Sequence, residues 1–138
     1  MNVKKISHLG IAVPDIEKYV SSFKDVFGLE LTGIEEVLDQ KVKVAFLTVG
    51  ESRLELLEPT DPSGAVGKFL EKRDGKPGFH HMALEVEDVE ASLKEAEEKG
   101  LELIDKKPRI GAGGAKIGFI HPKSTAGVLT ELCEHKKD

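Results

Sequence analysis

Hydrophobic and polar residues follow two periods along the chain, one typical of strands and one typical of helices. Residues 5–13 alternate between apolar and small or polar side chains, which predicts a β-strand. Residues 16–27 then place apolar side chains three or four positions apart, which predicts a helix with Asp15 as its N-cap and Gly28 as its stop. Three further strands are predicted at about 29–37, 41–49 and 52–58.

This β-α-β-β-β pattern occurs twice. His-Leu-Gly-Ile-Ala-Val-Pro-Asp-Ile-Glu at residues 8–17 corresponds to His-Met-Ala-Leu-Glu-Val-Glu-Asp-Val-Glu at residues 81–90. Leu54-Glu55-Leu56 corresponds in the same way to Thr130-Glu131-Leu132. The second copy is predicted to contain a helix near 88–99 and strands near 101–106, 115–121 and 127–134.

The repeat predicts an α+β fold in which two tandem βαβββ modules form one domain with a concave mixed sheet. We expect a single domain over residues 1–138, with module one at about 4–58, a linker at about 59–78 and module two at about 79–135. A short helix is expected inside the linker, where apolar residues lie between glycine- and proline-rich ends.

Each copy carries one histidine on its first strand and one glutamate on its last strand. Because side chains alternate along a strand, His8 and His81 lie opposite the apolar residues that should cover the helix. Glu55 and Glu131 are flanked by residues of the core face, so they point the same way as the histidines. Two similar halves would bring the four side chains together, and imidazole with carboxylate ligands suits Zn, Co, Ni, Mn or Fe.

The charge, the apolar runs and the cysteine count of the chain argue against several classes of protein. The net charge is -5 and basic residues are not concentrated in one segment, which argues against a nucleic-acid surface. No apolar run approaches the ~18 residues needed to span a membrane. Cys133 is the only cysteine, which excludes an internal disulfide and a zinc site made of thiolates. We expect a cytoplasmic protein.

Paired modules with one histidine and one glutamate each resemble the vicinal oxygen chelate (glyoxalase-type) superfamily. Within it, the chain resembles the methylmalonyl-CoA epimerases over nearly its whole length. The resemblance is carried by four stretches: His8-Leu-Gly-Ile-Ala-Val-Pro-Asp, Leu54-Glu-Leu-Leu-Glu-Pro59, Gly78-Phe-His-His-Met-Ala83 and His121-Pro-Lys-Ser-Thr-Ala-Gly-Val-Leu-Thr-Glu-Leu132.

The resemblance implies one divalent ion held by His8, Glu55, His81 and Glu131, with Co²⁺ first and Zn²⁺, Mn²⁺, Ni²⁺ or Mg²⁺ as other candidates. It also implies a homodimer and an acyl-CoA thioester substrate whose two epimers interconvert through an enolate. Some relatives place a further glutamate at the position of Val44, and this chain has none there.

Two alternatives on the same scaffold are a glyoxalase-type lyase or isomerase acting on a glutathione thiohemiacetal, and a non-catalytic protein that binds a small molecule. For the epimerase, Glu131 is the predicted base. Glu55 is the candidate for the second proton-transfer group, with a metal-bound water or hydroxide as the alternative. Lys116 and Lys123, with Arg109, are expected near the phosphates of CoA.

Overall fold

The computed structural model describes residues 1–135 and divides into two compact units. The first unit is His8–His80. The second unit begins at His81 and also includes Met1–Ser7, so the boundary falls inside the first strand. Among the residues described, no helix is long and apolar enough to cross a membrane.

The first unit contains the elements predicted for the first copy and the short helix expected in the linker. They are β1 (Val3–Ala12, entering the unit at His8), α1 (Ile16–Ser21) with a π-helical turn at Ser22–Val26, β2 (Glu30–Val37), β3 (Val42–Val49), β4 (Ser52–Pro59) and α2 (Ala65–Glu71). The strands lie in the order β2-β3-β4-β1. The β1–β4 pair is parallel, whereas the β2–β3 and β3–β4 pairs are antiparallel. The predicted order of elements is confirmed, and the sheet is mixed.

The second unit repeats this arrangement. Its elements are β5 (Gly78–Val86, entering the unit at His81), α3 (Val89–Glu98), β6 (Arg109–Ile110), β7 (Lys116–Ile120) and β8 (Thr130–Glu134). The strands lie in the order β5-β8-β7-β6, with a parallel β5–β8 pair and antiparallel β7–β8 and β6–β7 pairs. The predicted α+β class with two tandem βαβββ modules is therefore confirmed.

The strand predicted at 101–106 is wrong, and the two-residue β6 occupies its place in the order. Only an isolated bridge joins Leu103 to Ile120. The next two amides, of Ile104 and Asp105, both donate to the carbonyl of Phe119, and the Asp105 carboxylate accepts the amide of Phe119 at 2.9 Å. The Asp105 side chain thus accepts the Phe119 amide in place of a backbone carbonyl, and the regular strand ends there.

The first helix begins at a point fixed by two carboxylates. Asp15 is the N-cap and accepts the amide of Glu17 at 3.0 Å. Glu58, near the end of β4, accepts the amide of Ile16 at 2.8 Å. The last strand of the copy therefore holds the start of its helix.

The helix of the second copy is held in the same way. Asp88 accepts the amide of Ala91 at 3.1 Å, and Glu134 at the end of β8 accepts the amide of Val89 at 3.0 Å. Glu58 and Glu134 each lie three residues after the glutamate of the repeated strand. The duplication thus extends to the contacts that anchor the helices.

One apolar core lies between helix and sheet in each unit. In the first unit it joins residues of α1 to one face of the sheet: Ile11, Val13, Ile16, Tyr19, Val20, Phe23, Ala45, Leu47, Leu54 and Leu56 are among its members. In the second unit the equivalent residues are Leu84, Val86, Val89, Leu93, Ala96, Ile120 and Leu132. The helix approaches the second sheet closely, since a Cβ on Gly118 would lie 2.6 Å from Cδ1 of Leu93.

We expect Glu134→Ala to lower the free energy of unfolding by about 1 kcal/mol, because the first amide of α3 loses its acceptor. Glu98→Ala, at the exposed far end of the same helix, should change it by less than about 0.5 kcal/mol. Urea unfolding of the two variants measures the difference. Equal effects would contradict an anchoring role for Glu134.

Candidate functional site

In the first unit, one histidine and one glutamate lie side by side on the sheet face opposite the helix. Leu54 and Leu56 belong to the helix-facing core, so Glu55 between them points the other way. The parallel register places Gly10 directly across from Glu55, and His8 precedes Gly10 on the same face. The Nδ1 atom of His8 lies 3.2 Å from Oε2 of Glu55. Both residues are buried, with exposures of 5% and 3%.

The second unit contains the same pair in the same register. Leu132 belongs to the helix-facing core, so Glu131 points to the opposite face. Ala83 lies directly across from Glu131, and His81 precedes Ala83 on that face. The Nε2 atom of His81 lies 3.6 Å from Oε1 of Glu131, and the two residues are 5% and 4% exposed. The predicted facing of both histidines and both glutamates is confirmed within each unit.

A phenylalanine flanks each glutamate on its other side. Phe46 pairs with Glu55, and Phe119 pairs with Glu131. An arginine lies over each ring, with the guanidinium carbon 5.5 Å from the Phe46 centroid in one copy and 5.4 Å from the Phe119 centroid in the other. The ring of His81 also meets Phe119 edge-on, with centroids 5.5 Å apart. Each glutamate therefore lies between a small residue on one neighbouring strand and a phenylalanine on the other.

The two copies differ in where the arginine comes from and in which carboxylate it contacts. Arg53 lies on β4, two residues before Glu55, and donates to its Oε2 from Nη2 at 2.9 Å and from Nε at 3.3 Å. The equivalent position of the second copy is Leu129, while Arg109 comes from β6 and lies 3.4 Å from Asp105. Burial raises the pKa of the Glu55 carboxyl, and the Arg53 guanidinium opposes that shift.

The sequence prediction missed Arg53, although a signal was present. Arg53 and Glu55 are separated by two positions on a strand, so they share a face. An arginine two residues from a buried glutamate on that face is well placed to form a charge-assisted hydrogen bond. The first pair therefore includes a cation that the second pair lacks at the equivalent position.

Among residues 1–135, one group of histidine and carboxylate side chains could hold a metal ion: His8, His81 and Glu131. Neutral imidazole nitrogens and a carboxylate oxygen are ligands that borderline divalent ions accept. All three are buried, which limits competition from bulk water. Glu55 lies outside this group, although it contacts His8, so its ligand role stays a prediction.

The basic residues predicted near CoA lie at the surface of the second unit. Lys123 forms an ion pair with Glu102 at 2.9 Å, and Lys116 is exposed on β7. Their role in binding CoA stays a prediction. His80, next to His81, packs edge-on against Phe69 with centroids 5.1 Å apart, and burial lowers its pKa to about 4. His80 is therefore a packed residue.

Relatives of the chain fall mainly among epimerases. The ethylmalonyl-CoA/methylmalonyl-CoA epimerase of Cereibacter sphaeroides is 34% identical over 131 residues, covering 94% of this chain and 97% of that protein. The uncharacterized protein YqjC of Bacillus subtilis (strain 168) is 42% identical over 136 residues, covering 99% of this chain and 96% of that protein.

A solved structure and a family model agree with these relatives. A variant of the Streptomyces coelicolor methylmalonyl-CoA epimerase, in complex with 2-nitronate-propionyl-CoA, matches with a TM-score of 0.92 and 37% identity, covering 97% of this chain and 96% of that chain. Residues 7–119 match the model of the Glyoxalase/Bleomycin resistance protein/Dioxygenase superfamily. The chain belongs to this superfamily.

Proposed function

We propose that this protein is a metal-dependent epimerase that interconverts (R)- and (S)-methylmalonyl-CoA through an enolate. The observation that carries the proposal is similarity over nearly the full length to epimerases, one of which was solved with an acyl-CoA analogue. The paired histidine and glutamate in each copy support it, because a metal-dependent enzyme needs such ligands and both pairs are intact.

We propose that His8, Glu55, His81 and Glu131 hold one divalent ion, with Co²⁺ as the first candidate. The donor set fits, since two carboxylates offset the charge of a divalent ion and two imidazoles complete a mixed nitrogen and oxygen set. Gly10 and Ala83, the residues across from the glutamates, have no side chain or only a methyl group. When bound, such an ion supplies Lewis acidity that stabilises negative charge on the thioester oxygen.

We assign proton transfer to glutamate carboxylates of the site. We propose that Glu131 accepts the α proton of one epimer, while the C–H bonding electrons move into the enolate. Glu55 is the sequence candidate for the opposite face of the α carbon. Its oxygen Oε2 already accepts two hydrogen bonds from Arg53 and lies beside His8, and these contacts favour a ligand role instead.

The sequence also supports proposals about assembly, location and the binding of CoA phosphates. We propose that the active protein is a homodimer in the cytoplasm, as expected from the resemblance and the composition. Lys116 and Lys123 are proposed to attract the phosphates of CoA, because both side chains are exposed and cationic.

We expect protein loaded with Co²⁺ to exchange the α proton of (S)-methylmalonyl-CoA for deuterium in heavy water and to convert the thioester to a mixture of epimers. NMR follows the exchange, and coupling to an enzyme specific for one epimer follows the inversion. The metal-free protein treated with EDTA is the control. Turnover of the methylglyoxal–glutathione adduct without exchange on the thioester would assign the chain to the glyoxalase-type reaction instead.

Glu55→Gln separates a ligand role from a proton-transfer role. We expect this variant to keep the ion and to retain deuterium exchange within about tenfold of wild type, because an amide oxygen can still coordinate. Glu131→Gln is the matched variant, and exchange on the epimer that Glu131 deprotonates should fall by at least about 100-fold. If Glu55→Gln retains the ion yet loses exchange as fully as Glu131→Gln, Glu55 transfers a proton.

A further inference from the structure

A β-bulge in β2 changes which side chains of that strand face the site. Before the bulge, Leu31 pairs with Leu47 on the helix side of the sheet. The register shifts between Leu31 and Gly33, and beyond it Ile34 pairs with Ala45 on the helix side. Residues that simple alternation would turn toward the helix therefore turn the other way.

Glu35 is the carboxylate that this shift moves. It pairs directly with Val44, and paired residues of neighbouring strands share a face. Val44 is two positions from Phe46, which pairs with Glu55, so Glu35 and Glu55 lie on the same face. Glu35 lies two strand spacings of about 4.8 Å from Glu55 and two residues further along the sheet, so their Cα atoms are roughly 12 Å apart. Two glutamate side chains on one face can bring their carboxylates closer than that.

The two carboxylates differ in burial. Glu35 is half-buried on the edge strand of the first unit, whereas Glu55 is 3% exposed. A half-buried carboxylate can return its proton to solvent between turnovers, as a proton-transfer group must.

Inversion at the α carbon needs a second group opposite Glu131, and this need rests on the function proposed above. We propose that Glu35 is that group. In one direction its carboxylate removes the α proton, the C–H electron pair enters the enolate, and the protonated Glu131 returns a proton to the opposite face. In the other direction the two residues exchange roles, so no further reactant is required. Glu55 then serves as a ligand.

Glu35→Gln tests the assignment, with Glu36→Gln as the matched control. Glu36 is the exposed neighbour that pairs with Lys43, so it lies on the other face of the same strand. Both variants and wild type are loaded with Co²⁺, their metal content is measured, and each epimer of methylmalonyl-CoA is incubated separately in heavy water. Exchange and inversion are followed for each epimer.

We expect Glu35→Gln to retain its metal and to invert at least about 100-fold more slowly than wild type. It should still exchange the α proton of one epimer with retention of configuration, because Glu131 remains, and Glu36→Gln should match wild type.

A smaller loss of inversion, loss of exchange on both epimers, or equal impairment of Glu36→Gln would overturn the assignment. An inactive wild-type protein would overturn the proposed function and this assignment with it, whereas an active wild type with an equally active Glu35→Gln overturns this assignment alone.

Discussion

The parallel pairing between the first and last strands of each copy determines which side chains meet. Gly10 lies across from Glu55 and Ala83 across from Glu131, so the histidine two positions earlier reaches the glutamate in both copies. A slip of one residue would turn every side chain of a strand to its other face. The same register brings Glu58 to the start of α1. One pairing therefore positions the ionisable pair and the helix that covers the opposite face.

Burial of these pairs constrains their chemistry. An isolated buried charge costs several kcal/mol, so a buried carboxylate needs a partner. In the first unit Arg53 supplies a cation for Glu55, and in the second unit the position equivalent to Arg53 is apolar. The duplicated pairs are thus similar in geometry and different in charge. This difference is consistent with our proposal that Glu131 moves a proton while Glu55 stays a ligand.

The sequence predicted most of the fold because the duplication presents the strand alternation and the helical spacing twice. Alternation and helical spacing placed both helices and all four strands of the first copy, and the faces of Glu55 and Glu131 followed from their apolar neighbours. Two features escaped it for local reasons. The Asp105 carboxylate takes a ladder position beside Phe119, which ends the strand predicted at 101–106. The bulge after Leu31 shifts the phase of β2, so alternation alone assigns Glu35 to the helix side.

We propose that one histidine and one glutamate from each copy share a single ion. The most direct test is calorimetric titration of EDTA-stripped protein with Co²⁺, using wild type, His8→Asn and His81→Asn. The account predicts about one ion per chain for wild type and an affinity at least about 100-fold weaker in both variants. Two ions bound per wild-type chain, or wild-type affinity in either variant, would contradict it.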